Sequence, residues 1–276
     1  MAATNIEVWQ QATVIETVAV ASNIQRIVLA PSLPKRAEPG SHLDLFVTIA
    51  GERHKRSYSV VDSTEDGSRL AISVLQVPLS RGGSIFMHSV RPGDTLEITQ
   101  PLQNFPLRIG APRYVLLAGG IGVTAIVNMA RVLKNLGANY TLVYAARSRE
   151  RMAFLPELLA LHGDNLRVHI DDEGTELSVA ELVGSVDPLA ELYMCGPIRL
   201  MDAVRRAWRE RKLNDPNLRV RDLRQQRLVQ PGGVHRSGAA PRRGSARAGG
   251  PLDARSPRRC RRRDDVRLPQ GGVRPV

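Results

Sequence analysis

Apolar and polar residues alternate over short distances through the first hundred residues of the chain. Six runs rich in β-branched residues follow one another: TVIETVAV, IQRIVLA, HLDLFVTI, RSYSVV, RLAISVLQV and DTLEITQP. Turn-forming clusters such as AEPG, DSTEDGS and RPGD lie between them. Short strands at this spacing are typical of a small antiparallel barrel. We therefore predict a β-barrel domain over residues 1–110.

The pattern changes after Pro112. RYVLLAGG is a continuous apolar run, and TAIVNMARVLKNLG follows it with helical spacing and a final glycine. Apolar runs and helical segments then alternate as far as IRLMDAVRRAWRERK, in which Leu200, Val204 and Trp208 share one face. This alternation predicts a doubly wound parallel sheet over residues 111–220, so the expected fold class is β + α/β.

Both patterns stop after Val220. Residues 221–276 show no sustained period of 2 or 3.6, and no aromatic residue follows Trp208. Because such a segment buries too little apolar surface to offset its chain entropy, we predict a disordered tail. The tail holds fifteen arginines against four acids, which accounts for +11 of the formal net charge of +12. The remaining residues carry +1, so their charge gives no reason to expect a nucleic-acid partner.

Cysteine content and hydropathy limit the cellular setting. Two cysteines, Cys195 and Cys260, cannot form a disulfide framework or a metal site. The start, MAATNIEVWQQ, has neither a basic region nor an apolar run, and YVLLAGGIGVTAIV is too short and too rich in glycine to span a bilayer. We therefore expect a cytoplasmic protein with no membrane partner.

A glycine-rich turn, GGIGVT, follows the first predicted strand of the α/β region. Gly119, Gly120 and Gly122 permit a tight turn in which backbone N–H groups approach a pyrophosphate at a helix N-terminus. An ordinary strand-to-helix turn is the alternative. The spacing is not the dinucleotide G-x-G-x-x-G, and Arg147 and Arg149, rather than an acid, follow the next strand.

Three further stretches offer groups that suit a cofactor. In RSYS, Arg56 suits a phosphate, Tyr58 a flat isoalloxazine ring and Ser59 a ring nitrogen, although a solvated strand edge is the alternative. In SRGGS, a mobile turn is the alternative to an anion nest made by Arg81, Gly82, Gly83 and Ser84. In YMCGP, Cys195 either packs as a small core residue or lines a crevice with Gly196 and Pro197.

The motifs RxYS, RGGS, RPGDTLEI, NFPL, GGIGVT and CGP occur in this order over about residues 5–220. In this the chain resembles the ferredoxin-reductase-like flavoenzymes, in particular the phthalate dioxygenase reductase and vanillate O-demethylase reductase group. The resemblance implies a flavin barrel, then a nicotinamide-binding domain, then a plant-type [2Fe-2S] domain. It also implies an NAD(P)H-dependent reductase that feeds a Rieske-type oxygenase. The RGGS form implies FMN, with FAD as the alternative, and the nucleotide would be NADH or NADPH.

The resemblance also implies roles for single residues. Arg56, Arg81 and Ser84, with Gly82 and Gly83, would hold the flavin phosphate, and Tyr58 and Ser59 would contact the ring. The turn would hold the dinucleotide through Gly119, Gly120, Gly122 and Thr124. Cys195, Gly196 and Pro197 would lie at the hydride-transfer region, which makes Ser59, Thr124 and Cys195 the catalytic candidates; no residue is a metal ligand. Ala125 departs from the proline usual there. His42 has a family counterpart near the flavin, and a solvated strand-end histidine is the alternative.

A member of this group would continue past residue 220 with an aromatic segment and the cluster domain. Read one base over, VRDLRQQRLVQPGGVH permits FETFGNSGWFSPEEF, and DDVRLPQGGVRPV permits MMFDCRKGECGL. The second string begins the C-x₄-C-x₂-C cluster pattern. We interpret the tail as frameshifted and, because Cys260 is the only cysteine after Val220, expect it to bind no [2Fe-2S] cluster. A free-standing flavin or ferric reductase and a basic-tailed nucleic-acid-binding protein are the alternatives.

Overall fold

Six antiparallel strands close into a barrel in the computed structural model, which describes residues 6–77 and 81–223. The strands of this sheet follow the order β4-β5-β2-β1-β6-β3-β7, and β3 also pairs with β4, which closes the barrel. The predicted barrel is therefore confirmed. The six barrel strands are β1 (Trp9–Ala21), β2 (Ile24–Pro31), β3 (Ser41–Ile49), β4 (Glu52–Ser63), β5 (Leu70–Leu75) and β6 (Thr95–Thr99). The short β7 (Leu102–Gln103) also pairs with β3.

The alternation along β3 separates the barrel core from its outer face. Leu43, Leu45 and Val47 are fully buried in the barrel core. His42 and Asp44, at the alternate positions of the strand, point outwards. Residues directly opposite each other on antiparallel strands share a face. Since His42 lies opposite Ser59 and Leu43 opposite Tyr58, consecutive residues of the RSYS motif face opposite sides of the barrel wall.

A short helix, α1 (Gly83–Ser89), begins within the SRGGS motif. It was not predicted, because seven residues are too few to show a helical period. Met87 of α1 is fully buried in the barrel core, which fixes the helix against the strands. The glycine before it, Gly82, has φ of 92°, a left-handed conformation that few other residues adopt.

The second sheet has five parallel strands in the order β10-β9-β8-β11-β12. Helices α2 and α3 pack on one face and α4 and α5 on the other, so the predicted doubly wound sheet is confirmed. The strands are β8 (Tyr114–Gly119), β9 (Tyr140–Ala146), β10 (Leu166–Ile170), β11 (Glu191–Cys195) and β12 (Leu218–Arg221). The helices are α2 (Val123–Asn135), α3 (Leu155–His162), α4 (Val179–Gly184) and α5 (Ile198–Glu210).

Three local features differ from the sequence pattern. The run ERMAFLPELLALHG predicts a helix from Glu150, but α3 begins only at Leu155, because Phe154 adopts φ of 64° and Pro156 lies in the first turn. Helix α4 was not predicted. Strand β12 ends at Arg221, one residue past the expected boundary. Apart from Arg221, Asp222 and Leu223, the predicted disordered tail lies outside the described residues.

A hydrophobic cluster joins the outside of the barrel to the parallel sheet. Val28 and Val61 of the barrel pack in the same cluster as Ile126 and Met129 of α2. The turn before β3 also packs closely on the segment around Phe105, because a Cβ atom at Gly40 would overlap the carbonyl oxygen of Phe105. The outer face of β3 and β4 is thereby held near the carboxyl edge of the parallel sheet. Among the described helices, none has the length and apolarity needed to cross a membrane.

Candidate functional site

Ser59 is buried on β4 without a hydrogen-bond partner. Its side chain lies on the outer face of the barrel, the residue is 3% exposed, and its Oγ meets no partner among the described residues. An unsatisfied buried hydroxyl costs free energy, and native structures rarely keep one without a reason. A ligand that brings a hydrogen-bonding atom to this point would satisfy it.

His42, directly opposite Ser59, is also buried. It is 5% exposed, and its Nδ1 has no hydrogen-bond partner in the described part of the chain. The alternative of a solvated strand-end histidine is therefore wrong. Burial, followed by the positive charge of Arg221, lowers the pKa of His42 to about 4, so the ring is neutral at pH 7. Two buried side chains, each with one unsatisfied polar atom, thus lie side by side on this face.

Asp44 is the buried carboxylate of the same face, and it is held by its neighbours. Its Oδ2 lies 2.8 Å from Nζ of Lys55, and its Oδ1 accepts a hydrogen bond from the hydroxyl of Ser57. His42 Nε2 lies 3.7 Å from Asp44 Oδ1. Burial of a carboxylate is tolerated when it is paired and hydrogen-bonded in this way.

The RSYS and RGGS motifs meet at Gly83. A Cβ atom at Gly83 would lie 2.7 Å from Nε of Arg56, so the glycine leaves room for that arginine. Arg56 and Tyr58 are half-buried, which shows that this strand edge is not simply solvated. The arginine also donates from Nη1 to the carbonyl of Lys55 at 2.8 Å.

The remaining residues of the RGGS motif differ in exposure. The Oγ of Ser84, in the first turn of α1, accepts a hydrogen bond from the backbone N–H of Val77 at 3.1 Å. This bond joins the two sides of the loop whose middle, residues 78–80, lies outside the described residues. Arg81 is exposed at the start of the motif.

The GGIGVT turn packs directly on the CGP motif. Gly119 ends β8, a short turn covers Gly120–Gly122, and α2 begins at Val123. A Cβ atom at Gly122 would overlap the carbonyl oxygen of Cys195, and one at Gly119 would lie 2.7 Å from Cδ of Pro197. These two glycines are therefore required for close packing of the backbone.

Gly120 has a different environment from its two neighbours. Its φ is 53°, and no described atom lies within 4 Å of the position a Cβ would take. The turn is thus packed on the side of Gly119 and Gly122 and open at Gly120. An open glycine backbone at the carboxyl edge of a parallel sheet is where such folds bind ligands.

Thr124 and Cys195 are both buried, and their side chains face protein. Thr124 Oγ1 donates to the carbonyl of Ile121 at 2.9 Å, which fastens the turn to α2. Cys195 is fully buried in the core, and burial raises the pKa of its thiol to about 12. The thiol is therefore protonated at neutral pH. Of the residues that follow it, Gly196 is half-buried and Pro197 is exposed.

Arg221 is a further buried residue of this region that the sequence did not predict. It is 4% exposed, pairs with Cys195 at the end of β12, and donates from Nη1 to the carbonyl of Gly40 at 2.7 Å. Burial lowers its pKa to about 10, so it remains charged at neutral pH. Because it follows the last strand-like residues and begins the arginine-rich segment, no sequence signal distinguished it from the tail.

Of the two arginines that follow β9, Arg147 and Arg149, the second is paired. Arg149 donates from Nε and Nη2 to the two carboxylate oxygens of Glu173, at 2.8 and 2.6 Å. Glu173 follows β10, and this interaction lowers its pKa. A bidentate pair therefore spans the carboxyl ends of β9 and β10.

Other features of the described chain lie away from these residues. A cavity of about 560 Å³ lies between α2 and the barrel, lined by residues such as Arg36, Asp62 and Asn128, and contains none of the predicted site residues. Within residues 6–77 and 81–223, no three His, Cys, Asp or Glu side chains are grouped as metal ligands.

Comparisons with known proteins agree with the resemblance stated from the sequence. Residues 11–106 match the model of the oxidoreductase FAD-binding domain. The chain is 39% identical over 172 residues to the vanillate O-demethylase oxidoreductase of Pseudomonas putida, covering 61% of this chain and 53% of that protein. It is 38% identical over 168 residues to the phenoxybenzoate dioxygenase subunit beta of Ectopseudomonas oleovorans, covering 60% of this chain and 51% of that protein.

One solved structure extends the similarity to both sheets. It is phthalate dioxygenase reductase, described as modular for electron transfer from pyridine nucleotides to [2Fe-2S]. The TM-score is 0.67 at 27% identity, over 78% of this chain and 68% of that one. The present chain spans about half the length of the curated relatives it matches.

Proposed function

We propose that this chain, an oxidoreductase with an FAD-binding domain, is the reductase of an oxygenase system. It would take electrons from NADH through FMN and deliver them to a Rieske-type oxygenase component. The observation that carries the proposal is a juxtaposition at Arg221. Arg221 reaches the barrel at Gly40 and acts on His42, the neighbour of the unsatisfied Ser59, while it also pairs with Cys195, against whose carbonyl Gly122 packs.

The barrel residues fit a flavin. Ser59 offers a hydroxyl without a partner in the described chain for a ring nitrogen, and Arg56 offers a guanidinium beside Gly83 for the phosphate. Tyr58, on the opposite face of β4, offers a half-buried aromatic ring. When bound, a flavin supplies the exchange between electron pairs and single electrons that such a reductase needs. FMN is the expected form, from the RGGS motif, and FAD is the alternative. Arg81, Gly82 and Ser84 complete the proposed flavin-binding set.

The sheet residues fit a nicotinamide dinucleotide. Gly120 leaves the backbone of the turn open, while Gly119, Gly122 and Thr124 fix its shape. The buried thiol of Cys195 is protonated, so its role in this reaction would be to position the ring rather than to exchange a proton. Gly196 and Pro197 complete the proposed set, and residues 1–110 and 111–220 would be the two binding domains.

The nucleotide is expected to be NADH. A 2′-phosphate is usually held by an arginine near the end of the strand that follows the glycine-rich turn. Of the two arginines at that place, Arg147 and Arg149, the second donates from both Nε and Nη2 to Glu173. A 2′-phosphate would have to compete with this carboxylate and would be repelled by it, whereas a ribose hydroxyl would not.

Steady-state kinetics with ferricyanide as acceptor test this function. The purified full-length chain should release FMN on denaturation and should oxidise NADH with a higher kcat/KM than NADPH. Glu173→Gln should reduce that preference, while Glu150→Gln, which changes an exposed acid on the neighbouring turn, should not. Purified protein that neither holds a flavin nor oxidises either nucleotide would contradict the proposal.

A further inference from the structure

Arg221 joins the two halves of the described chain. It ends β12, where its Cα pairs with that of Cys195, and its guanidinium reaches the carbonyl of Gly40 in the turn before β3. The two hydrogen-bonded residues are 181 positions apart in the sequence. The guanidinium therefore lies between the outer face of the barrel and the carboxyl edge of the parallel sheet.

The groups around this guanidinium belong to both proposed binding sites. Its charge acts on His42, the neighbour of Ser59, and on the thiol of Cys195. Asp44, on the same barrel face as His42, acts on the guanidinium in turn. The carbonyl of Cys195 contacts the GGIGVT turn at Gly122. A charge at this point is near any ligand that touches both Ser59 and the turn.

Arg221 carries a buried positive charge in this region. His42 is neutral, and Asp44, the only buried carboxylate on the barrel face among the described residues, also pairs with Lys55. The charge of the half-buried Asp222 acts on the thiol of Cys195. Burial greatly strengthens the field of a charge, because little water is present to screen it. Arg221 would thus stabilise a ligand that gains negative charge beside it.

We infer that Arg221 makes the bound flavin easier to reduce, by stabilising its negatively charged reduced form. The inference rests on the proposed function, because it presupposes flavin at Ser59. No proton or electron passes through Arg221, which acts by its charge and by holding β12 against the turn at Gly40. It is therefore a positioning residue, and no sequence motif pointed to it.

The test measures how tightly the full-length chain holds reduced FMN relative to oxidised FMN, from anaerobic reductive titrations with a redox dye. Arg221→Gln keeps a donor for the Gly40 carbonyl but removes the charge. It should lower the preference for the reduced form by about tenfold, which for a two-electron couple corresponds to about 30 mV. Arg221→Lys should retain most of the preference. Arg219→Gln is the matched control, because Arg219 lies on the same strand and the same face, opposite Tyr193, and should change nothing.

A second variant provides an independent test in case the Arg221→Gln protein does not fold. Asp44→Asn removes the opposing charge but keeps an oxygen acceptor for Lys55 and Ser57, so the preference for reduced FMN should rise. An unchanged preference in Arg221→Gln, or no rise in Asp44→Asn, would overturn the inference while leaving the proposed function standing. Failure of the unaltered chain to bind FMN would overturn both.

Discussion

The two sides of the candidate site are built from different parts of the chain. On the barrel side, buried polar atoms without partners among the described residues define the surface, as the Oγ of Ser59 and the Nδ1 of His42 show. On the sheet side, the surface is backbone, and Gly119 and Gly122 exist there because no side chain would fit. The barrel side thus has side-chain groups ready for a ligand, whereas the sheet side has a shaped turn with one open position, Gly120.

Because of this difference, substitutions on the two sides should have different effects on ligand binding and on the fold. Removing atoms from the barrel side should weaken ligand binding with little effect on the fold where, as at the Oγ of Ser59, the group removed has no partner among the described residues. Adding atoms to the sheet side should disturb the fold at its packed glycines and obstruct a ligand only at the open one. Each prediction below tests one half of this contrast.

The largest effect is expected at Gly122. In Gly122→Ala the new Cβ would overlap the carbonyl oxygen of Cys195, and backbone cannot move aside cheaply. The free energy of unfolding should fall by about 3 kcal/mol, at the upper end of overpacking costs. Gly184→Ala is the control, because no described atom lies within 4 Å of its Cβ position. Urea denaturation measures both, and equal stabilities would show that the turn is not packed as described.

The next effect concerns flavin affinity. Arg56→Ala removes a charge-assisted contact to the phosphate, and FMN binding should weaken by about 1.5–3 kcal/mol. Arg53→Ala is the control, since Arg53 lies on the same strand but pairs with Glu97 on β6. Fluorescence titration of FMN measures both affinities. Equal FMN affinities in the Arg56→Ala and Arg53→Ala proteins would remove Arg56 from the flavin site.

A smaller effect is expected at the open glycine. Asparagine tolerates the positive φ of Gly120, so Gly120→Asn should fold yet place a side chain where the dinucleotide approaches. The KM for NADH should rise by about tenfold, or roughly 1.4 kcal/mol, with flavin content unchanged. Gly137→Asn, at a similar φ of 62° beyond the end of α2, controls for backbone strain. A KM equal to that of the parent would show that the dinucleotide does not approach at Gly120.

The smallest effect on stability is expected at Ser59. Ser59→Ala removes a hydroxyl that has no partner in the described chain, so unfolding free energy should change by less than about 0.5 kcal/mol. Reduction of bound FMN by NADH should nonetheless slow. Ser57→Ala, two residues away, removes a hydrogen bond to Asp44 and should cost about 1 kcal/mol. The reverse order of stabilities would mean that the hydroxyl of Ser59 is structural.

The same contrast explains what could be predicted from the sequence. The barrel strands and the alternating α/β elements follow local periodicity, and the motif residues could be named because each motif is contiguous. The contacts between different motifs, however, join residues that are distant in the sequence. Contact between Gly122 and Cys195, or between Gly83 and Arg56, depends on tertiary packing. Arg221 was placed in the tail because its environment is created by Gly40, Cys195 and Asp44, all distant in sequence.

Anaerobic mixing of the FMN-loaded, full-length chain with NADH tests the central claim most directly. If the barrel face and the sheet edge form one site, the visible absorption of the bound flavin should bleach in a single turnover, with a rate that saturates as NADH is increased. Gly120→Asn should shift that saturation to higher NADH, whereas Ser59→Ala should lower the limiting rate. Flavin that stays oxidised in the unaltered chain, although bound, would show that the two surfaces do not form one redox site.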